Sequence, residues 1–121
     1  MSAIPAAISG QRYISLATFR KNGNAVSTPV WFAEENGHLY VMTASQMGKS
    51  KRIRNNPKVK IAPCTIRGRI TGPEFSATAR FLPPADHKHA RDLINAKYFL
   101  ARITILFPRT DTYIEITPDP A

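Results

Sequence analysis

Hydrophobic and polar positions alternate through much of the first half of the chain. Arg12 to Phe19 (RYISLATF) is rich in β-formers at a two-residue period, the pattern of a strand with one buried face. Lys21-Asn22-Gly23-Asn24 follows as a hairpin turn, because Asn-Gly readily supplies positive φ. Ala25 to Ala33 (AVSTPVWFA) reads as a second strand, in which Pro29 cannot donate to a ladder and so calls for an edge, a bulge or a ligand. Glu34 to Gly37 makes the next turn, and His38 to Thr43 (HLYVMT) is a third strand. These three strands are expected to form an antiparallel meander.

The pattern then changes period. Ser45 offers a side-chain oxygen ahead of a short helix over Met47 to Asn55, which Pro57 ends. Val59 to Cys64 predicts a fourth strand, Thr71-Gly72-Pro73 a turn, and Glu74 to Leu82 a fifth strand with Phe75, Ala77, Ala79 and Phe81 on one face. Pro83-Pro84 breaks it, and Asp86 to Asn95 has helical spacing through Ala90, Leu93 and Ile94. Tyr98 to Phe107 fits a helix through Leu100, Ile103, Thr104 and Phe107, although Ile103, Ile105 and Phe107 also alternate; we read it as helix. Thr112 to Ile116 is a sixth strand, with a loose tail expected from Pro118. Six mainly antiparallel strands with two or three short helices predict a mainly β (α+β) domain or small barrel. The early hairpins exclude a doubly wound parallel sheet, whose strands need crossover helices.

Composition narrows the class. A length of 121 residues fits one domain (1–121, core about 12–118), and 43% hydrophobic residues can fill a core. The lone Cys64 excludes an internal disulfide framework and a multi-cysteine zinc site. The first residues lack the basic and apolar regions of a secretory signal, and no apolar run approaches the ~20 residues that span a bilayer. A cytoplasmic domain with no membrane partner is expected.

The formal charge of +9 is concentrated. Between Asn36 and Pro73 there is no acidic residue, while Lys49, Lys51, Arg52, Arg54, Lys58, Lys60, Arg67 and Arg69 all fall there. The rest of the chain is near balance, with nine basic and eight acidic residues. Such asymmetry points to an anion-facing surface, for nucleic acid, lipid headgroups or a phosphorylated or polycarboxylate small molecule, against the plainer reading of a solvated face. Met47 to Arg69 contains no aromatic residue, which argues against a stacking surface for nucleic acid.

Thr43-Ala44-Ser45-Gln46-Met47-Gly48-Lys49-Ser50 ends like a phosphate-binding P-loop and joins a strand to a helix. Thr43 stands where the opening glycine belongs, and the domain is too small and antiparallel for a P-loop NTPase. Hydroxyls on Thr43 and Ser45, amides at a helix start, and Lys49 one turn in still make a phosphate cradle, with Lys51 and Arg52 adding charge. His87 and His89, two apart on a helix, face different ways and cannot chelate one metal. Cys64 reads as a small core residue rather than a nucleophile. Trp31, beside Pro29, is either core, dimer interface or the wall of a ligand site. No catalytic constellation is legible.

Taken together, ISLATFRKNGNAVSTPVWFAEENGHLYVMT, GKSKRIRNNPKVKIAPCTIRG and the closing YIEITP resemble the flavin and deazaflavin oxidoreductases of the split β-barrel superfamily that includes pyridoxamine 5′-phosphate oxidase. The resemblance runs from about Arg12 to Pro118 and is closest to the small PPOX-class, coenzyme F420-dependent branch. It implies a six-stranded antiparallel split barrel of the FMN-binding type. It also implies a homodimer, with cofactor and small-molecule substrate at the subunit interface. By position, Ser27, Thr28, Pro29 and Val30 would flank the ring. Thr43, Ala44 and Ser45 would lie beside the phosphate path, Lys49 would bind phosphate, and Lys51 and Arg52 would assist or hold an anionic tail. Arg67 and Arg109 would reach the partner's site. The oxidase pattern has an arginine before its phosphate lysine, where this chain has Gly48; that points away from pyridoxamine phosphate oxidation. Surplus basic charge suits F420, with its oligoglutamate tail, over FMN or FAD. The rival expectations are a flavin- or haem-type carrier without turnover and a nucleic-acid-binding module.

Overall fold

The computed structural model describes residues 4–45, 47–98 and 111–120. Seven strands run as β1 (Ile14–Phe19), β2 (Ala25–Val30), β3 (Ala33–Glu35), β4 (His38–Thr43), β5 (Lys58–Pro63), β6 (Phe75–Phe81) and β7 (Thr112–Pro118). Helix α1 (Gly48–Asn55) follows β4, and α2 (His87–Lys97) follows a single 3-10 turn at Pro84–Asp86. All strands join one antiparallel sheet in the order β2-β1-β5-β6-β7-β4-β3.

That order decides the shape. β2 and β3 hold opposite ends of the sheet, yet only Trp31 and Phe32 separate them in sequence. Three Cα steps reach no further than roughly 11 Å, so the sheet must curl until its two edges approach. The single second strand expected over Ala25 to Ala33 is therefore two, and the sheet has seven strands rather than six. The expected three-stranded meander does not form, because β2 pairs only with β1 and β3 only with β4. Pro29 sits on the edge strand β2, where its missing N–H costs no ladder bond.

At the break, backbone groups lose their sheet partners and need others. The Tyr98 hydroxyl supplies them: it accepts from the Phe32 N–H (3.1 Å) and lies within donating distance of the Phe32 and Arg12 carbonyls (2.8 and 2.6 Å). β3 and β4 turn through Asn36 and Gly37, with φ of 53° and 80°. Two successive positive φ values make a type I′ turn, whose twist matches the flanking strands.

The inner face of the curl carries Ile14, Leu16, Leu39, Val41, Ile61, Ile114 and Ile116, all fully buried, with Ile53 of α1 closing one end. Ala77 and Ala79 of β6 join this core, with Phe75 and Phe81 packed against it, on the face expected. On β4 the alternate residues Tyr40 and Met42 face the other way, into a second cluster built by Ala90, Ile94 and Tyr98. Helix α2 thus covers the outer face of β3, β4 and β7, and both faces of β4 are shielded. Ser45 does not cap α1: the N-cap is Met47, with no side-chain cap bond. The tail is pinned rather than loose at Pro118, which is buried and pairs with Ala77, while Asp119 bonds to Ser76 and Thr78. The helix expected over Tyr98 to Phe107 lies outside the described residues except for Tyr98, the C-cap of α2; Arg109 also lies outside them.

Candidate functional site

A cleft of about 350 Å³ opens where the crossover, the end of β4 and the start of α1 converge. Its lining is Tyr13, Pro29, Val30, Trp31, Met42, Thr43, Met47, Lys49 and Ile66. Extending the β3–β4 register past Ala33↔Tyr40 brings Trp31 beside Met42, so both reach this wall from the outer face. Trp31 stacks flat on Tyr98, with ring centroids 4.7 Å apart and planes at 4°. The residue that satisfies the broken backbone therefore also braces the cleft wall. The volume and largely apolar walls suit a small organic ligand.

Lys49 is the cation of this cleft. It is half-buried, and its ammonium reaches only the Met47 sulfur, at 3.3 Å, with no carboxylate partner among the described residues. Burial, and then the nearby Arg52 guanidinium, hold Lys49 below the ordinary lysine value. A buried cation without a counter-ion is costly, and a bound anion would offset that cost.

Arg52 stands just behind. Its Nε donates to Thr18 Oγ1 at 2.6 Å, and its Nη1 would lie 2.8 Å from a Cβ at Gly48. Gly48 therefore leaves the space into which the guanidinium folds.

The expected site residues divide. Pro29, Val30, Thr43 and Lys49 line the cleft. Thr28 lies next to them on β2, and its Oγ1 is shut from solvent with no hydrogen-bond partner among the described residues. Ala44 is buried, and its carbonyl accepts from the Ser50 hydroxyl at 2.7 Å; that hydroxyl also lies 3.2 Å from Thr43 Oγ1. Ser45 is engaged away from the cleft, where its N–H and hydroxyl both donate to the Asp111 carboxylate, at 2.6 and 2.7 Å. Ser27 and Lys51 are exposed and, like Arg52, are not lining residues.

Four lining residues, Tyr13, Met42, Met47 and Ile66, are not among those expected from the sequence, which leaves Trp31 open among core, dimer interface and ligand wall. Ile66 carried the one available signal, an isoleucine in a turn rich in Arg and Gly. It sits in a hairpin closed by the Cys64↔Ile70 bridge and by Arg69 N–H donating to Thr65 Oγ1. A Cβ at Gly68 would lie 3.5 Å from the Pro29 ring, so this hairpin runs close to β2, and Ile66 and Pro29 line the same cleft.

Much of the basic window is spent locally. Lys60 pairs with Glu74 (3.6 Å), Lys58 donates to Thr78 (3.3 Å), and Arg54 donates to the Ser45 carbonyl and lies 5.2 Å over the Phe81 ring. Lys51, Arg67 and Arg69 make no side-chain hydrogen bond or ion pair among the described residues. His87 and His89 do separate: one meets the Leu82 carbonyl, the other Glu35. Cys64 is buried, and burial pushes its thiol up.

A curled antiparallel sheet whose two edges meet at a two-residue crossover is a split barrel. Residues 2–117 match the family model described as pyridoxamine 5′-phosphate oxidase, and the chain belongs to that family. No curated protein matches it by sequence. Among solved structures it is similar to the haem storage protein HutZ of Vibrio cholerae, with a TM-score of 0.73 at 12% identity, covering 93% of this chain and 84% of that one. A FAD-binding protein of Mesorhizobium loti gives 0.65 at 19% identity, covering 97% and 91%. A haem-binding protein of Mycobacterium smegmatis gives 0.66 at 12% identity, covering 92% of this chain but 47% of that one. At these identities the likeness is one of fold.

Proposed function

We propose that the cleft holds a phosphorylated ring cofactor of the deazaflavin or flavin kind, coenzyme F420 first and FMN or FAD as alternatives. On this reading the protein is an oxidoreductase acting on a small organic substrate. The observation that carries it is Lys49, a half-buried ammonium without an anionic partner among the described residues, in an otherwise mostly apolar cleft. The residues present fit such a group. Trp31, Val30, Met42 and Ile66 give apolar walls that exclude water from a planar ring. Lys49 faces the phosphate, and the half-buried Arg52 guanidinium adds field behind it. A bound ring of this kind supplies hydride transfer, and the chain's part is to orient it and keep the site dry.

Arg67 and Arg69, beside Ile66 in sequence and without side-chain partners among the described residues, favour a ligand whose negative charge extends beyond one phosphate. This supports F420 over FMN. Ile66 and Ile70 of the same hairpin are 65% and 50% exposed, an apolar pair that a second subunit would cover. We read the working form as a homodimer.

A carrier without turnover is the second reading, favoured by the scarcity of acid–base side chains: Tyr13 and Lys49 are the lining residues that carry one. Haem is the weaker cargo, because among the described residues no histidine lines this cleft and only Tyr13, Met42 and Met47 offer axial ligands.

Parallel titrations with F420, FMN and FAD, followed by fluorescence, test the proposal. Micromolar binding of one of them, weakened in Lys49→Ala, is expected. No binding of any of the three overturns it.

A further inference from the structure

Met47 holds its sulfur against the one ammonium that lines the cleft. Lys49 Nζ lies 3.3 Å from Sδ and the Thr43 hydroxyl 3.8 Å. The residue is also 46% exposed at the cleft, where a small oxidant can reach it. Met42, on the same cleft, is less exposed and packs against the α2 cluster.

We propose that Met47 is a peroxide-sensitive switch on the Lys49 anion site. The sulfur attacks one oxygen of hydrogen peroxide. An S–O bond forms and the O–O bond breaks, so the thioether loses two electrons and the peroxide is reduced to water. The departing hydroxide takes a proton from the Lys49 ammonium, which regains one from the oxygen now on sulfur. The product is the sulfoxide plus one water. The Lys49 ammonium beside the sulfur assists this step by protonating the leaving oxygen as charge develops on it. Thioethers follow this chemistry generally, and the sulfoxide is returned to thioether by methionine sulfoxide reductases.

The consequence falls on Lys49. A thioether is a weak acceptor, whereas a sulfoxide is polar and its oxygen accepts strongly. Placed on a sulfur already 3.3 Å from the ammonium, that oxygen holds Lys49 in an internal bond. The ammonium is then withdrawn from an incoming phosphate. Binding of an anionic ligand and oxidation of Met47 oppose each other, so each protects against the other. The switch in ligand affinity rests on the cofactor reading; the selective oxidation of Met47 does not.

The test treats the whole protein with millimolar hydrogen peroxide and maps the sulfoxide by tandem mass spectrometry, which separates Met42 from Met47. Met47 is expected to oxidise several-fold faster than Met42, and equal or reversed rates overturn the switch. A lysine-methyl NMR spectrum should move the Lys49 signal on oxidation and restore it after reductase treatment; an unmoved signal also overturns it. In protein that binds FMN or F420, oxidation should weaken binding about tenfold, the worth of one charge-assisted bond. Met47→Leu should show no change between treated and untreated samples. Unchanged affinity in oxidised wild type overturns the switch. If untreated protein binds none of these ligands, the cofactor reading fails, while the mapping and NMR results still decide the oxidation.

Discussion

The Tyr98 hydroxyl meets both polar backbone groups of Phe32, at 3.1 and 2.8 Å, across 66 residues of sequence. Phe32 is fully buried at the point where the chain leaves one sheet edge for the other, so neither group has water to turn to. One phenol thus makes the crossover tolerable, and its ring holds Trp31 against the cleft.

Tyr98→Phe should therefore destabilise the fold by about 1–3 kcal/mol, because it leaves a buried N–H unpaired. Urea unfolding measures this. Burial pushes the Tyr98 hydroxyl up to about 12. Above the ordinary tyrosine value the unfolded chain loses the proton first, so wild-type stability falls as pH rises from about 10 toward 12. The variant should show a shallower alkaline decline. An equal slope in both proteins would refute the assignment.

Lys49→Ala should weaken FMN binding at least tenfold and leave riboflavin, which lacks the phosphate, within about twofold. Because Lys49 lies below the ordinary lysine value, wild-type affinity for FMN should fall with rising pH earlier than an exposed lysine would predict. Equal losses for FMN and riboflavin would mean that Lys49 faces no phosphate.

Gly48→Ala drives the Arg52 guanidinium from its place, since the new Cβ would stand 2.8 Å from Nη1. Affinity for an anionic ligand should drop several-fold with little change in thermal stability, because the displaced atom ends a flexible side chain. In an Arg52→Ala background the same substitution should have no further effect on binding, and a double-mutant cycle checks this.

Asp111 lies below the ordinary carboxylate value, chiefly because the Ser45 hydroxyl and N–H donate to it. The clamp is complete above the ordinary value and is lost as pH falls through the depressed one. Asp111→Ala should flatten the acid limb of the stability curve. An unaltered limb, followed by circular dichroism, would show that the clamp carries no linkage.

Cys64 is 6% exposed, and its thiol is raised by burial. Iodoacetamide should label it only after denaturation. Rapid labelling of the native protein would contradict its place behind the Cys64↔Ile70 bridge.

Local patterns foretold most elements because each depends on neighbours in sequence. Alternation marks a strand in His38–Thr43, Asn36-Gly37 a tight turn, and Ala90 with Ile94 a helix face. The basic window and the strand-to-helix junction likewise located Lys49 and Thr43, which do line the cleft. Ser45 was legible only as a hydroxyl near a helix. Its acceptor, Asp111, lies 66 residues away, and no local pattern joins the two. Met42 read as one more strand residue, because its exposure to the cleft depends on Trp31 arriving beside it.

By itself, then, the sequence determined an antiparallel β domain with its cations gathered after the His38–Thr43 strand, since side-chain period, turn chemistry and charge are local properties. The split of one expected strand between opposite sheet edges, its repair by Tyr98, and the meeting of Ile66 and Met47 with Lys49 at one cleft are set by contacts between segments far apart in the chain. Alternation states which face of a strand is buried but not which strand lies beside it. Pairing is chosen by the closure of the whole sheet and by where every buried N–H and C=O finds a partner.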